Sequence, residues 1–244
     1  MAIFIVAVAL APVLASHDPH AVAEGAAVTL EAPTGAHPFG TDALGRDLLS
    51  RVLWGGRVSL AVGVGVELTA ALLGCLVGLV AGFYGGWIDA LLMRGTDVVM
   101  AFPSLVLAIG LIAVFERPGL DKVVLVLVVL GWTTIARVVR GTVLALKRRD
   151  YVQAARALGA GDLAIMVRHL LPNALAPLLV AATIGVGGNM VAEAGLSFLG
   201  LGAQPPTISW GSMLADGQTF LSSAPWVAIF PGLVKYDEAY GADP

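Results

Sequence analysis

The chain has 244 residues, of which 58% are hydrophobic and 13% are charged, and its formal net charge is −3. Soluble domains usually contain about 25% charged residues, so this composition argues against a soluble protein. The small net charge gives no reason to expect a nucleic-acid partner. The single cysteine, Cys75, lies in an apolar run, which excludes a disulfide framework and a cysteine-rich metal site.

The first two segments differ sharply in polarity. Residues 1–16 are predicted to form a first transmembrane helix, although the run is short for a span, which needs about 20 residues. A signal peptide is the alternative, but no basic stretch precedes the apolar run. Residues 17–56 form the longest polar segment and contain prolines and glycines that favour turns. Within it, residues 41–51 are predicted to form a short interfacial helix capped by Thr41 or Asp42.

Four later apolar runs have the composition of membrane-spanning helices. They are Val58–Gly82, Val98–Phe115, Val123–Ala136 with a helical continuation to Leu146, and Ala174–Ala192. The first of them extends roughly 37 Å as a helix, which exceeds a hydrocarbon core of about 30 Å. It also contains glycines at Gly74, Gly78 and Gly82, a spacing that favours close helix contact in lipid.

A further apolar run begins at Pro225 and stops at Val234. We expect it to be an incomplete sixth span, followed by an atypical polar tail at residues 235–244. The sequence therefore predicts an all-α polytopic membrane protein with about five to six transmembrane helices.

Basic residues between the fourth and fifth spans indicate the orientation. They are Lys147, Arg148, Arg149, Arg156 and Arg168. Cytoplasmic loops carry an excess of lysine and arginine, so residues 147–173 are predicted to lie in the cytoplasm. Counting spans back from this loop places residues 17–56 outside the cell.

This loop has the pattern of two short helices. Residues 153–158 favour a helix with a small-residue surface, and residues 162–170 favour a second one. Gly159 and Gly161 separate them. Pro172 suits the first turn of the next span, where its missing N–H costs nothing. Two short helices folded into a cytoplasmic elbow favour a docking function.

The loop carries the pattern Gln-Ala-Ala-x3-Gly-x9-His-x-Leu-Pro, which resembles the "EAA" loop of ABC importer permeases. In that family the loop forms coupling helices that sit in a cleft of the cytoplasmic ATPase. The resemblance implies ATPase-docking roles for a set of five residues: Gln153, Ala154, Ala155, Gly159 and Pro172. The chain departs from the family pattern at Gln153, where the family has Glu, and at His169, where the broad pattern has an apolar residue.

Further stretches resemble the dipeptide/oligopeptide/nickel permease group, and its C-type subunit in particular. They are His37–Leu60, Ala194–Gly202, Trp210–Gly211, Ala224–Trp226 and Phe230–Gly232. The resemblance implies the type I importer fold, with residues 57–234 as the permease transmembrane domain. Members of this group continue past the Phe-Pro-Gly with a full last span, where this chain has its polar tail.

The resemblance implies a permease subunit of an ATP-driven importer in the bacterial inner membrane. The implied partners are membrane lipid, a second permease subunit, cytoplasmic ATP-binding subunits and an external substrate-binding protein. Di- and oligopeptides are the leading substrates, and nickel or another small solute is the alternative substrate. A secondary transporter is the alternative class of protein. The chain lacks the Gly-x-x-x-x-Gly-Lys-Ser/Thr phosphate loop, so we expect ATP hydrolysis in a partner, no enzymatic activity and no cofactor.

Two acids inside apolar runs are candidates for the translocation path, because intramembrane acids are functional candidates by default. Glu67 lies within the second span, and its alternatives are a polar helix contact or a place near a helix end. Glu193 closes the fifth span, where it is a candidate for the path or its gate.

Other charged residues favour structural roles. Asp42, Arg46 and Asp47 are predicted to form an external ion-pair cluster that holds the interfacial helix. Arg94 and Asp97 have the i, i+3 spacing of a helical ion pair. Two further arginines are predicted to mark the cytoplasmic mouth of the fourth span: Arg137 and Arg140.

The four histidines are His17, His20, His37 and His169. They are too scattered in sequence to predict a metal site. The i, i+3 spacing of His17 and His20 is a weak indication of nickel ligation and remains a minor alternative.

Overall fold

The structure is a computed structural model that describes residues 2–22 and 28–240. The described residues are mostly helical and contain no β-strand, only an isolated antiparallel bridge between Thr41 and Asp47. The α-helices are α1 Ala2–Ala9, α2 Ala11–Leu14, α3 Leu48–Tyr84, α4 Gly86–Met100, α5 Ser104–Ile112, α6 Leu120–Leu146, α7 Asp150–Ala157, α8 Asp162–Ile165, α9 Leu171–Phe198, α10 Trp210–Gly217 and α11 Trp226–Tyr240. The all-α prediction is confirmed.

The chain packs into two compact units. The first comprises residues 1–63, 112–124 and 187–244, and the second comprises residues 64–111 and 125–186. Three long helices, α3, α6 and α9, each contribute residues to both units.

Three helices in the described part of the chain are long and apolar enough to cross a membrane. They are Leu48–Tyr84, Leu120–Leu146 and Asp162–Phe198. A fourth candidate consists of α4 and α5 together, which pass the same test as a pair but are bent by 86°. The described residues therefore hold three candidate spans, or four if the bent pair is one span, where the sequence predicts about five to six.

The expected span at Val98–Phe115 is not one straight helix. The helical hydrogen bonding stops at Met100 and resumes at Ser104, with Pro103 between. Proline has no N–H and its ring clashes with the carbonyl four residues earlier, so the helix ends before it. The apolar run is continuous in sequence, but the proline divides it between α4 and α5.

The predicted first span at residues 1–16 is also divided. The described residues form α1, of 8 residues, and α2, of 4 residues, with a turn at Leu10. At 1.5 Å per residue neither helix approaches the thickness of a hydrocarbon core, about 30 Å.

The predicted interfacial helix at residues 41–51 is replaced by the start of a much longer helix. α3 begins at Leu48 and runs for 37 residues without a break. Asp47 takes the capping role expected of Thr41 or Asp42, because its Oδ2 accepts the backbone N–H of Ser50 at 2.8 Å.

The polar tail is another difference. α11 continues to Tyr240, so the backbone of residues 235–240 is helical where the sequence predicts an exposed tail. Residues 241–244 lie outside the described part of the chain.

The second unit has a core in which α3 packs closely on α6. A Cβ on Gly78 would lie 2.9 Å from Cβ of Val139, and one on Gly82 would lie 2.9 Å from Cβ of Val143. Real Cβ atoms do not approach this closely, so the glycines are what bring the two backbones together. The close contact predicted from the glycine spacing is confirmed.

In the first unit a buried tryptophan holds α10 against α3. The indole Nε1 of Trp210 donates to the carbonyl oxygen of Val52 at 2.8 Å. Gly211 lies against the backbone of Ala194 on α9, where a Cβ would be about 2.5 Å from the Ala194 Cα. These contacts bind the segment after α9 to the helices of its own unit.

Candidate functional site

The elbow predicted between the fourth and fifth spans is present as α7 and α8. It is tied to the end of α3 by Lys147, whose Nζ donates to the carbonyl oxygen of Gly82 at 2.7 Å. Gln153 on α7 turns back and donates its Nε2 to the carbonyl oxygen of Lys147 at 2.8 Å. Both bonds fix the elbow on the helices of the second unit.

Gly159 ends α7 in a left-handed conformation with φ of 85°. The N–H of Ala160 bonds to the carbonyl of Ala155, and the N–H of Gly159 bonds to that of Arg156, both at 3.0 Å. This is the Schellman arrangement, in which glycine is favoured because it has no Cβ penalty at positive φ. The sequence prediction that Gly159 breaks the helix is confirmed.

The elbow has an apolar inner face and an exposed outer face. Val152 and Ile165 are fully buried in the hydrophobic core of the second unit. Leu158 and Leu163 point the other way and are 89% and 71% exposed. Ala154, on α7, is exposed as well.

Leu158 and Leu163 were not among the predicted docking residues. Their signal in the sequence is an apolar residue on either side of the glycine break, but other apolar residues of the loop, such as Val152 and Ile165, give the same signal. Only the fold shows which apolar residues of the loop face the core and which face outward.

Pro172 is the second residue of α9, so it lies in the first turn of that helix as the sequence predicts. The chain is already helical before α9, because Asp162–Phe198 is continuous, with a π-helical turn at Met166–Leu170 just before the proline. In membrane helices, local π-helical adjustment is one way in which backbone groups freed by a proline find partners again. Asn173 Nδ2 donates to the carbonyl oxygen of His169 at 2.7 Å. The side-chain amide thus donates to a carbonyl oxygen of the π-helical turn before the proline.

Glu67 is buried and lies at a helix contact within the second unit. Its carboxylate occupies the space where a Cβ on Gly185 of α9 would be. The absent side chain at Gly185 is therefore what admits the carboxylate. Glu67 thus lies at a contact between helices in the middle of α3, and not near a helix end.

Glu193 is fully buried within the first unit. Its two carboxylate oxygens accept from Ser59 Oγ at 3.2 Å and from Ser197 Oγ at 2.7 Å. Ser197 Oγ in turn accepts the backbone N–H of Ala203 at 3.0 Å. Glu193 thus joins α3, α9 and the segment after α9 through one buried polar network.

Two arginines of α6 pair with acids of α4. Arg140 binds Asp89 in a two-pronged pair, Nε to Oδ1 at 2.5 Å and Nη2 to Oδ2 at 2.6 Å. Arg137 Nη2 binds Asp97 Oδ1 at 2.6 Å. The pairing of Asp97 with Arg94 predicted from i, i+3 spacing is therefore wrong, because the fold brings an arginine of another helix to that acid.

The predicted cluster in the segment before α3 is confirmed in part. Arg46 Nε lies 2.6 Å from Asp42 Oδ2, and Arg51 Nε lies 3.4 Å from the same oxygen. Asp47 instead faces His37, whose Nδ1 is 3.0 Å from Asp47 Oδ1. Histidines that look scattered in sequence, His17 and His37, lie beside each other, with ring centroids 4.8 Å apart.

Comparison with known proteins assigns the family. The model of the family described as "Binding-protein-dependent transport system inner membrane component" matches residues 74–236. The chain belongs to this family. It is therefore a membrane subunit of a transport system in the inner membrane, and not an enzyme.

Several relatives are peptide transport permeases by name. A dipeptide transport system permease protein of Alkalihalophilus pseudofirmus is 42% identical over 83% of this chain and 66% of its own length. A glutathione transport system permease protein of Pectobacterium atrosepticum is 43% identical over 84% of this chain and 68% of its own. A putative peptide transport system permease protein of Brucella suis is 44% identical over 95% and 77%. This chain thus spans about two thirds of the first two relatives.

Solved structures support the fold. The MetNI methionine ABC transporter, in an inward-facing conformation, matches with a TM-score of 0.61 and 20% identity over 80% of this chain and 94% of that one. An amino acid ABC transporter matches with a TM-score of 0.61 and 16% identity over 79% and 89%. The expected importer permease fold is confirmed.

Proposed function

We propose that this chain is the C-type permease subunit of an ATP-driven importer of short peptides. In this proposal it pairs with a second permease, receives substrate from an external binding protein and docks cytoplasmic ATP-binding subunits on its elbow. The family membership supports the transport role, and the elbow of α7 and α8 is the observation that supports the docking role.

The elbow has the two properties that a coupling element needs. Its buried face, with Val152 and Ile165, packs in the core of the second unit, so a push on the elbow is transmitted to the helices around it. Its outer face carries Leu158 and Leu163, which are apolar and exposed. In this proposal these two side chains supply the apolar part of the surface that the partner covers.

The proposed coupling is a shift between two conformations. ATP would stabilise the closed arrangement of the ATPases, and that arrangement would bind one position of the elbow better than the other. A ligand shifts an equilibrium only by its difference in affinity for the two states. Gln153, Ala154, Ala155 and Gly159 belong to the docking surface in this proposal, and Pro172 to its connection with α9.

Glu67 and Glu193 serve the translocation path indirectly in this proposal. Both carboxylates are buried at contacts between helices. Movement of those helices during the transport cycle would change the surroundings of each acid. The two acids therefore act as positioning residues for helices that border the path.

A co-purification experiment tests the docking surface. The chain is co-expressed with the ATPase and permease genes beside it, and Leu158→Glu is compared with Leu221→Glu. Leu221 is a matched control because it is also exposed and lies outside the elbow. We expect Leu158→Glu to lose the ATPase while the control retains it, because a charge replaces the apolar contact. Equal recovery in both variants would refute docking at this surface.

Peptides are the proposed substrates because the relatives named above transport a dipeptide, glutathione or peptides. The proposal predicts that cells dependent on this transporter take up a labelled dipeptide, and that unlabelled tripeptides compete. Uptake of Ni²⁺ that peptides leave unchanged, with no dipeptide uptake, would support the nickel alternative instead.

A further inference from the structure

Three separate segments of the first unit bring two imidazoles and a carboxylate together. One ligand atom from each of His17, His37 and Asp47 lies within 4.8 Å of the other two. His37 Nδ1 is 3.0 Å from one carboxylate oxygen of Asp47, and His17 Nδ1 is 4.0 Å from the other. None of these side chains has a part in the proposed docking surface.

Hydrogen bonding accounts for only part of this arrangement. The His37–Asp47 contact is an ordinary hydrogen bond, but 4.0 Å from His17 Nδ1 to Asp47 exceeds hydrogen-bond range. Two other hydrogen bonds hold His17 near the Asp47 carboxylate. Its backbone N–H donates to Ser50 Oγ at 3.3 Å, and its Nδ1 is 2.9 Å from Ser16 Oγ.

We propose that His17, His37 and Asp47 form a binding site for a divalent transition-metal ion, with Zn²⁺ as the representative ion. Imidazole nitrogen and carboxylate oxygen are both common zinc ligands, at about 2.0–2.2 Å from the metal. Ligand atoms around a tetrahedral zinc ion lie about 3.3 Å apart at that bond length. The distance of 3.0 Å from His37 Nδ1 to Asp47 is already close to this spacing, and the distance of 4.0 Å from His17 Nδ1 to Asp47 would shorten by about 0.7 Å.

The surroundings suit a metal site in two further ways. Asp47 is held in place because it caps α3, where Ser50 donates its N–H to Oδ2 at 2.8 Å. The side chain of His17 is 42% exposed, which gives an ion access from solvent and leaves room for a water ligand. A site with three protein ligands and an open fourth position can bind a metal ion and still exchange it with the solvent.

A bound ion would join the segment after α2 to the start of α3. His17 follows α2, His37 lies in the connecting segment and Asp47 caps α3. A ligand that binds the folded state alone raises the free energy of unfolding by RT ln(1 + [L]/Kd). The site therefore makes the stability of this region dependent on metal.

The test titrates Zn²⁺ alone into the full-length chain in detergent, by calorimetry, after treatment with a chelator. The chain carries an affinity tag without histidines. Wild type is compared with His17→Ala and with the control His20→Ala, which removes a histidine three positions away that is outside the cluster. His17 is chosen because its side chain is partly exposed, whereas Asp47 caps a helix and its loss endangers folding.

We expect one zinc ion per chain in the wild type, at least tenfold weaker binding in His17→Ala, and unchanged binding in His20→Ala. Zinc should also raise the melting temperature of the wild type and of His20→Ala, but not that of His17→Ala at the same concentration. Absence of saturable binding to the wild type overturns the proposal. So does equal affinity of His17→Ala, or a loss of binding in His20→Ala as large as in His17→Ala. All these readouts are independent of transport.

Discussion

At the scale of single residues, the structure separates two reasons for which a site residue is needed. Gly159 is needed for its backbone, because it ends α7 with φ of 85° and no atom lies within 4 Å of where a Cβ would be. Glu193 is needed for its side chain, because both carboxylate oxygens accept hydrogen bonds in a buried place. A substitution at Gly159 therefore acts by straining the backbone. A substitution at Glu193 acts by removing the acceptor of two buried hydrogen bonds.

The conformation of Gly159 leads to a prediction with a matched control. Gly159→Ala should destabilise the end of α7 by about 1–2 kcal/mol, because a Cβ is unfavourable at positive φ. Gly161→Ala should cost less, since Gly161, the N-cap of α8, has φ of −68°, which alanine adopts without strain, and equally open space around it. Gly159→Asn should lie between them, because asparagine tolerates the left-handed region.

Hydrogen exchange over residues 150–165 measures this difference. Faster exchange is expected for Gly159→Ala than for Gly161→Ala. Identical exchange in the two variants would mean that the left-handed conformation is not needed to hold the elbow. This comparison also shows how much of a transport defect at Gly159 comes from strain and how much from lost contact with a partner.

At the scale of elements, the contact of α3 with α6 depends on which face of α3 carries glycine. Gly74, Gly78 and Gly82 face α6, and their missing side chains allow the backbones to approach. Gly65 lies on the same helix and has no atom within 4 Å of a Cβ position. The same residue type thus has different roles along one helix.

Replacing Gly78 by alanine and replacing Gly65 by alanine should have opposite effects on stability. Gly78→Ala should cost about 1–3 kcal/mol, because the new methyl group overlaps with Val139 and the backbone of Ala136. Gly65→Ala should be neutral or stabilising by up to about 1 kcal/mol, since alanine has the higher helix propensity. Melting temperatures of the two purified variants in detergent test this. A lower melting temperature for Gly65→Ala than for Gly78→Ala would contradict the packing of α3 on α6.

At the scale of the whole molecule, the proposed function requires the elbow to lie in the cytoplasm and the segment before α3 to lie outside the cell. The prediction rests on basic residues in the loop at 147–173. The family membership supports a membrane location for the chain as a whole. Leu158 in the elbow and Leu44 before α3 are both exposed, so each can report the side on which its segment lies.

Single-cysteine labelling tests the sidedness. Cys75 is first replaced by alanine, which leaves a chain without cysteine. Leu44→Cys should then react with a membrane-impermeant maleimide on intact cells, whereas Leu158→Cys should react only after the membrane is opened. Labelling of Leu158→Cys on intact cells, with Leu44→Cys protected, would reverse the assigned orientation.

Much of the candidate site was predictable because it depends on local chemistry. Gly159 as a helix end, the helices on either side of it and the glycine face of α3 all follow from preferences of residues close in sequence. The alternative place for Glu67, a polar helix contact, was also open from the sequence. The acid partner of Arg137 and the outward direction of Leu158 were not, since each depends on which helix lies alongside.

What the sequence by itself determined is the chemistry of each segment: an all-α membrane protein, its apolar runs, its basic loop and the two short helices on either side of Gly159. Only the tertiary structure decided which acids pair with the arginines of α6 and which apolar residues of the elbow face outward. It also decided that His17, His37 and Asp47 meet. The physical reason is range. Hydropathy and turn preference act within a few residues, whereas pairing across helices and loops depends on contacts between parts of the chain that are distant in sequence.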